Sequence, residues 1–446
     1  MYDIIIIGAG PGGYETAVVA AERGLKVVVV EAGPVGGTCL NEGCIPTKSF
    51  CRNAEVYEDI KEASVFGVEV DGFKFDFSKV VARKNEVVAQ LKAGVEGLMK
   101  HKNITFVQGK ASFKDANTVV VDSQEYSAAN IIVATGSVSA SLPIPGADLP
   151  GVLTSKEILE LEEVPQRLCV IGAGVIGLEF ASIFNTFGSQ VSVVEYCKDI
   201  LPRFDTDLAK RLKQSLSKKG IEITTQAQVQ SIEQTPEGLK VTFLKKDKEE
   251  SVLADKVLMA VGRRANLASM NFEEVGIQLE RRGVTTNEYM QTSVPNIYAI
   301  GDINGRMMLA HAATYQGFVA LDHIMGQENS INLDIMPAAL FTKPEAAVVG
   351  LTEDECKEKG IKVKCHKSFF RANGKAISMN EPDGFCKLVV AEDGKILGCH
   401  MFGAHSADII QEVCALLNMG ANLSDFKSVI HAHPTLCEVL QSAAHS

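Results

Sequence analysis

The chain has 446 residues, 46% of them apolar and 22% charged, an ordinary soluble composition with room for roughly two to four domains and substantial cores. Its net charge of −11 argues against nucleic acid or anionic lipid as a main partner. The longest apolar runs, such as Val27 to Val30, are strand-sized, so no membrane span is expected.

The first strand is expected at Ile4 to Ile7. No basic or Arg/Ser-rich leader precedes it, which points to a cytoplasmic protein. The eleven cysteines follow no regular framework and suit a reducing compartment. Most of them, including Cys51, Cys169, Cys197, Cys356 and Cys414, are expected to be small buried apolar residues.

Directly after the first strand come Gly8, Gly10 and Gly13, a G-x-G-x-x-G fingerprint opening a helix. Glu31 follows at the end of a second strand, 23 positions after Gly8. In such a unit the glycines let the backbone approach a pyrophosphate, and the helix N-terminus offers it N–H groups and positive potential. The acid accepts hydrogen bonds from ribose hydroxyls. An isolated fingerprint is also compatible with a tight turn that binds nothing.

Cys39 and Cys44 lie a few residues further on, within Gly36-Gly37-Thr38-Cys39-Leu40-Asn41-Glu42-Gly43-Cys44-Ile45-Pro46-Thr47-Lys48. If the segment coils at Gly43, the two sulfurs meet. Pro46 suits an early helical position and so puts Cys44 near a helix N-terminus. That location, with Lys48 nearby, favours a thiolate. A thiolate beside a second thiol is what thiol–disulfide exchange needs. A zinc site would call for a second Cys or His pair at comparable spacing, and none is evident.

Further along, a helix is expected over Val87 to Lys102, with short strands from Thr105 to Val121 and at Ile131 to Val133. Pro143, Pro145, Gly146, Pro150 and Gly151 mark a crossing between domains. A second unit then begins. Gly172, Gly174 and Gly177 repeat the first three glycines, and Glu195 repeats Glu31, each 164 residues later. The chain therefore contains one βαβ unit twice, and a paired fingerprint with paired acids favours dinucleotide binding over an idle turn.

Strands are expected at Ile221 to Thr225 and Val257 to Val261, the latter leading into Gly262-Arg263-Arg264. Asn296 to Asp302 reads as a strand ending in Gly-Asp. It sets a carboxylate at a sheet edge, where it either meets a ligand or caps the next helix. From about Met336 a further domain is expected. Its strands are Ala347 to Val349, Cys386 to Val390 and Ile396 to Phe402, followed by a helix over Ala407 to Met419. Near the end stands His431-Ala432-His433-Pro434-Thr435-Leu436-Cys437-Glu438, with a helix expected to start at Pro434. From that helix Glu438 can reach back to the His433 ring, although in an unrelated chain such a His-Pro turn would carry no chemistry. It is the resemblance named next that makes His433 a general base oriented by Glu438.

Taken together, the stretch from Gly36 to Lys48, the strand ending at Asp302 and the segment from His431 to Glu438 closely resemble the class I pyridine-nucleotide disulfide oxidoreductases, over essentially the whole chain. The resemblance implies an α/β fold with two Rossmann-like dinucleotide-binding domains and a C-terminal α+β dimerisation domain. The expected division is an FAD-binding domain over 1–145, an NAD-binding domain over 146–265, a central domain over 266–335 that completes the FAD site, and an interface domain over 336–446. It assigns Gly8, Gly10, Gly13, Glu31, Thr38, Lys48, Thr135, Gly136, Asp302 and Ala310 to FAD. To NAD it assigns Gly172, Gly174, Gly177, Glu195 and Gly262. Cys44 would be the thiolate against the flavin and Cys39 the thiol that exchanges with substrate, with Lys48 paired to Glu179. His433 and Glu438 would act from the partner subunit of a homodimer.

The implied reaction oxidises dihydrolipoamide and reduces NAD. Because no lipoyl module precedes the flavin domain, the substrate would arrive on the lipoyl domains of 2-oxoacid dehydrogenase or glycine-cleavage complexes. Glu195 would repel a 2′-phosphate, which favours NAD over NADP and disfavours a glutathione reductase. With no cysteine after Cys437, a mercuric reductase lacks its terminal pair, and a small thioredoxin reductase would need Cys-x-x-Cys in the second unit. Soluble transhydrogenases and NADH oxidases normally lack the complete cysteine pair. A flavin-bound scaffold subunit is a different class of reading, against which the intact Cys39, Cys44 and His433 argue. One departure from the family pattern is Ala265, where Gly-Arg-Arg-Pro-Asn is usual; it removes no functional group.

Overall fold

The computed structural model describes residues 1–268 and 270–446. The chain forms two compact units, one made of Met1–Phe50, Asp76–Ala140 and Gly262–Leu333, the other of Cys51–Phe75, Ser141–Val261 and Asp334–Ser446.

The first unit is built on a parallel sheet in the spatial order Ile104–Gln108, Val27–Glu31, Tyr2–Ile7, Gln124–Val133, Ile297–Ala299. Ile4 to Ile7 and Val27 to Val30 are buried on both faces, which explains their unbroken apolar runs. The first strand leads through Gly8 into the helix Pro11–Glu22, capped by Gly10 with Pro11 at the start, where a missing N–H costs nothing. The long helix of this unit runs from Phe77 to Leu98, not from Val87 to Lys102. Asp76 starts it early by accepting the Lys79 N–H at 3.4 Å.

A distant part of the sequence finishes the unit. Ile297–Ala299 adds a parallel strand beside Gln124–Val133. The helix Ala310–Ile324 lies so close to Pro11–Glu22 that a Cβ on Gly317 would sit 1.8 Å from Thr16 Oγ1. Only glycine allows this approach.

In the second unit the parallel sheet repeats the same order: Glu222–Thr224, Gln190–Val194, Arg167–Ile171, Lys256–Met259, Val152–Leu153. The helix Val175–Phe187 follows its first strand with Gly174 as cap. A three-stranded antiparallel meander, Ala227–Thr235, Gly238–Lys245 and Lys248–Ala254, was not foreseen from the sequence. The remainder is a five-stranded antiparallel sheet ordered Ala338–Leu340, Ala346–Gly350, Ile396–Phe402, Phe385–Ala391, Val363–Phe369. The helices Ser406–Asn418 and Glu438–Ala444 cover it, their buried residues sharing one core with Leu388, Val390 and Met401.

Two expectations need correction. No helix starts at Pro434, because the Glu438 carboxylate takes the Thr435 N–H at 2.8 Å and holds a turn there, so the helix begins at Glu438. Cys197 and Cys414 are only partly buried, unlike Cys51, Cys169 and Cys356. Cys197 sits in the loop after Gln190–Val194 and Cys414 on the helix Ser406–Asn418.

Candidate active site

The two fingerprints are built alike down to individual hydrogen bonds. In the first, Gly8 is left-handed (φ 108°), and a Cβ on Gly13 would lie 1.9 Å from Gly8 O. In the second, Gly172 has φ 105°, and a Cβ on Gly177 would lie 2.1 Å from Gly172 O. Each third glycine thus lets its helix pack against the turn that precedes it. Beside Gly174 a Cβ would meet nothing within 4 Å, and beside Gly10 only Gly37 Cα at 3.8 Å. The middle glycines leave room for a pyrophosphate. The N–H groups of each helix's first turn lack intrahelical acceptors and point toward that room.

The two acids also match. Glu31 accepts the Ala9 N–H at 2.6 Å and the Gly33 N–H at 2.7 Å. Glu195 accepts Ala173 at 2.5 Å and Cys197 at 2.6 Å. Each carboxylate ties its own loop and keeps lone pairs for ribose hydroxyls. The residues present fit two dinucleotides.

Behind the first fingerprint, Ala134 O closes against Gly8, with a distance of 2.3 Å to a Cβ built there. Thr135 and Gly136 follow, Thr135 Oγ1 donating to Asn266 O at 3.1 Å and Gly136 O accepting from Asn266 N at 2.9 Å. Gly262 holds a left-handed turn (φ 115°) and accepts from Ala140 N at 3.0 Å.

Asp302 does not cap a helix; it lies in the short 3-10 turn Gly301–Asn304, whose cap residue Ile300 makes no side-chain bond. Its carboxylate accepts the Ser137 hydroxyl, and Arg263 Nε stands 3.9 Å away. Burial pushes the Asp302 carboxyl above the usual carboxylate range, with Ser137 and Arg263 pulling it back. Arg263 also donates to Ser137 Oγ at 2.7 Å, to Ser137 O at 2.8 Å and to Thr38 Oγ1 at 3.5 Å. Ser137 and Arg263 escaped the sequence reading. The only hint was the adjacency of Arg263 to Gly262, since the pairing of Arg263–Ala265 with Ser137–Ser139 is long-range. Ala310 is the first residue of the helix Ala310–Ile324.

The cysteines are strapped to the first fingerprint. Gly36 donates its N–H to Ala9 O at 2.7 Å, and a Cβ on Gly37 would come within 2.7 Å of Gly10 Cα. The short helix Gly37–Glu42 starts there and carries Cys39. Gly43 breaks it, and Cys44 opens the helix Cys44–Glu62. The hydrogen bond that the Cys39 thiol donates to Cys44, and then burial, raise Cys39 far above its ordinary value, with Lys48 opposing. Cys44, the more exposed sulfur, occupies the helix N-terminus that favours a thiolate.

In the second unit the buried Glu179 carboxylate accepts the Phe341 N–H at 3.0 Å. Lys48 belongs to the first unit. His433 Nδ1 lies 2.8 Å from Glu438 Oε1, and its side chain is 81% exposed. His431 pairs through its other nitrogen, Nε2 lying 2.9 Å from Glu412 Oε1, and is 4% exposed. Of these two, His433 is the one open to solvent. No group of residues able to hold a metal ion and no helix long and apolar enough to cross a membrane occurs among the described residues.

Two tandem dinucleotide folds, the first holding a dithiol against its glycine turn, define a dinucleotide-dependent dithiol oxidoreductase. The family model "pyridine nucleotide-disulphide oxidoreductase" matches residues 2–317, and its dimerisation domain matches residues 336–444. The chain is 42% identical over 449 aligned residues to the dihydrolipoyl dehydrogenase of Bacillus subtilis (strain 168), covering 99% of this chain and 95% of that one. It is 40% identical to that of Geobacillus stearothermophilus, with the same coverage. Among solved structures, the HOCl-induced flavoprotein disulfide reductase RclA from Escherichia coli superposes with a TM-score of 0.89 at 29% identity, covering 100% of this chain and 99% of that one. The chain belongs to the pyridine nucleotide-disulphide oxidoreductases, among which the dihydrolipoyl dehydrogenases use FAD and NAD.

Proposed function

We propose that the protein oxidises protein-bound dihydrolipoamide to lipoamide through the Cys39–Cys44 disulfide and reduces NAD+ to NADH. The observation that carries this reading is the pair itself, two sulfurs in hydrogen-bond contact on helices anchored to the first fingerprint. The names of the relatives at 40–42% identity support the choice of substrate.

FAD would be held by the Gly8-Gly10-Gly13 turn, Glu31, Thr38, Lys48, Thr135, Gly136, Asp302 and Ala310. NAD would be held by Gly172, Gly174, Gly177, Glu195 and Gly262. Bound there, the two cofactors supply the electron acceptors that return the dithiol to the disulfide. The chain's own residues handle the sulfur chemistry. With Nδ1–H donated to Glu438, His433 keeps Nε2 as its free base and removes the proton from a substrate thiol. The substrate thiolate attacks Cys39 Sγ, the Cys39–Cys44 bond breaks, and Cys44 leaves as a thiolate at its helix N-terminus. The second substrate thiolate then displaces Cys39, which takes up the proton, and lipoamide departs. Lys48 would stabilise the reduced site with its positive charge.

In this reading residues 1–145 and 266–335 form the FAD site, 146–265 the NAD site, and 336–446 the homodimer contact that brings His433 to a second copy's cysteines. Lipoyl-carrying domains deliver the substrate in the cytoplasm. The test is anaerobic addition of dihydrolipoamide and excess NAD+ to the holoenzyme, with free thiols and NADH both counted. The wild type should yield one NADH per dithiol. Cys39→Ser should retain FAD and yield none, and undiminished turnover by that variant would end the scheme.

A further inference from the structure

The second fingerprint loop carries a strain that the first does not, and a buried ion pair sits where it can hold that strain. In the first unit the loop after Glu31 returns to Ala9 through Gly36, whose N–H bonds Ala9 O and whose φ is 94°. In the second, the loop after Glu195 returns to Ala173 through Leu201, whose N–H bonds Ala173 O at 3.0 Å. Leu201 adopts the left-handed conformation, at φ 49°. Glycine adopts it freely; a branched residue does so only where its surroundings impose it.

Those surroundings are visible. Leu201 is 2% exposed, and its carbonyl accepts the Phe204 N–H at 2.8 Å. Asp205, 1% exposed, ends the loop and caps the helix Thr206–Lys218. From the strand Phe385–Ala391, Lys387 Nζ reaches Asp205 at 3.0 and 3.3 Å, Asp207 at 3.2 Å and Glu353 at 2.5 Å. The Lys387 side chain is 2% exposed. Asp207 and Glu353 are open to solvent, so removing Lys387 leaves the buried Asp205 carboxylate as the uncompensated charge and forces it to move.

We infer that Lys387, through Asp205, is a positioning residue for nicotinamide-nucleotide binding, fixing the 195–205 loop so that Ala173 and Glu195 stay set around the second glycine turn. The inference rests on the assignment of NAD to that turn. The ammonium anchors the far end of the loop; the anchored loop keeps Leu201 left-handed; Leu201 and Glu195 then grip the carbonyl and the N–H of Ala173 from opposite sides. The first unit has a glycine at the matching point and carries no such strain.

The test compares Lys387→Met, Lys387→Arg and Asp205→Asn in the holoenzyme. Asp205→Asn keeps a side-chain oxygen for the helix cap while losing the charge, and decides the matter if Lys387→Met does not fold. The dissociation constant of NADH, titrated without turnover, and the KM for NAD+ should both rise about fivefold to fiftyfold in Lys387→Met and Asp205→Asn. The kcat at saturating NAD+ and the KM for dihydrolipoamide should stay within about twofold, and Lys387→Arg should lie near wild type. A lowered melting temperature with unchanged nucleotide constants overturns the inference, as does a uniform loss of every parameter. A wild type that binds NADH yet ignores dihydrolipoamide overturns the substrate reading alone, because the NADH titration still judges Lys387.

Discussion

Glu438 holds His433 with one carboxylate oxygen and the backbone of Thr435 with the other, both at 2.8 Å. The carboxylate is thus fixed before it orients the ring. The His433 hydrogen bond, then the Thr435 N–H, hold the Glu438 carboxyl below its usual range, so it stays ionised as an acceptor. Glu438→Gln should keep the Thr435 bond and turn its NH2 toward Nδ1. The ring must then accept there and carry its proton on Nε2, where the base is needed. A fall in kcat of about a hundredfold is expected, with the NADH dissociation constant unchanged. Stopped-flow reduction by dihydrolipoamide reads it, and a loss under twofold would remove Glu438 from the mechanism.

The third glycines separate the two cofactors experimentally. Gly177→Ala must open the contact with Gly172 O and should abolish NADH binding while the protein stays yellow. Gly13→Ala meets the same obstacle in the first unit and should be purified without flavin, or not at all. A Gly177→Ala variant that lost flavin but kept NADH would exchange the two assignments.

The charge of Glu195 bears on nucleotide choice. Tied to Ala173 and Cys197, it cannot swing aside to admit a 2′-phosphate. The kcat/KM with NAD+ should exceed that with NADP+ by about a hundredfold or more. A preference for NADP+ would contradict this.

Asp207 gives a stability signature in acid. Its hydrogen bond to Lys367, with Lys387 also near, pulls its carboxyl down to about 2 against the burial that opposes it. A carboxylate with a depressed value stabilises the fold above its unfolded value of about 3.9 and loses that contribution as pH falls toward 2. Because the group is largely exposed, solvent screening limits the contribution to about 1 kcal/mol. Asp207→Asn should therefore melt below wild type at pH 6, and the gap should narrow between about pH 4 and 2. A gap that widens over that range would contradict the pairing.

Much of the site was legible because its chemistry is local in sequence. Glycines, acid and cysteines lie within one short span, and the 164-residue repeat exposed the duplication. The long-range partners were not legible. Ser137 and Arg263 meet only through strand pairing, and Lys387 reads as an ordinary strand-edge charge until three carboxylates surround it. The meander from Ala227 to Ala254 was missed because Lys245 to Glu250 makes its tip look like a solvated charge run. Pro434 misled for a related reason, since a side chain three residues after Thr435 decides where the helix can start.

The first unit borrows its last strand and the helix Ala310–Ile324 from beyond residue 290. On the ribosome, then, the nascent amino-terminal part waits, its sheet short of a strand and Thr16 bare, while the residues between Ala140 and Ile297 are translated. The parallel sheet of the second unit can complete itself during that delay. Flavin acquisition is accordingly a late event in the life of the chain, and a truncation before Gly317 should remain colourless however well its glycine turn is formed.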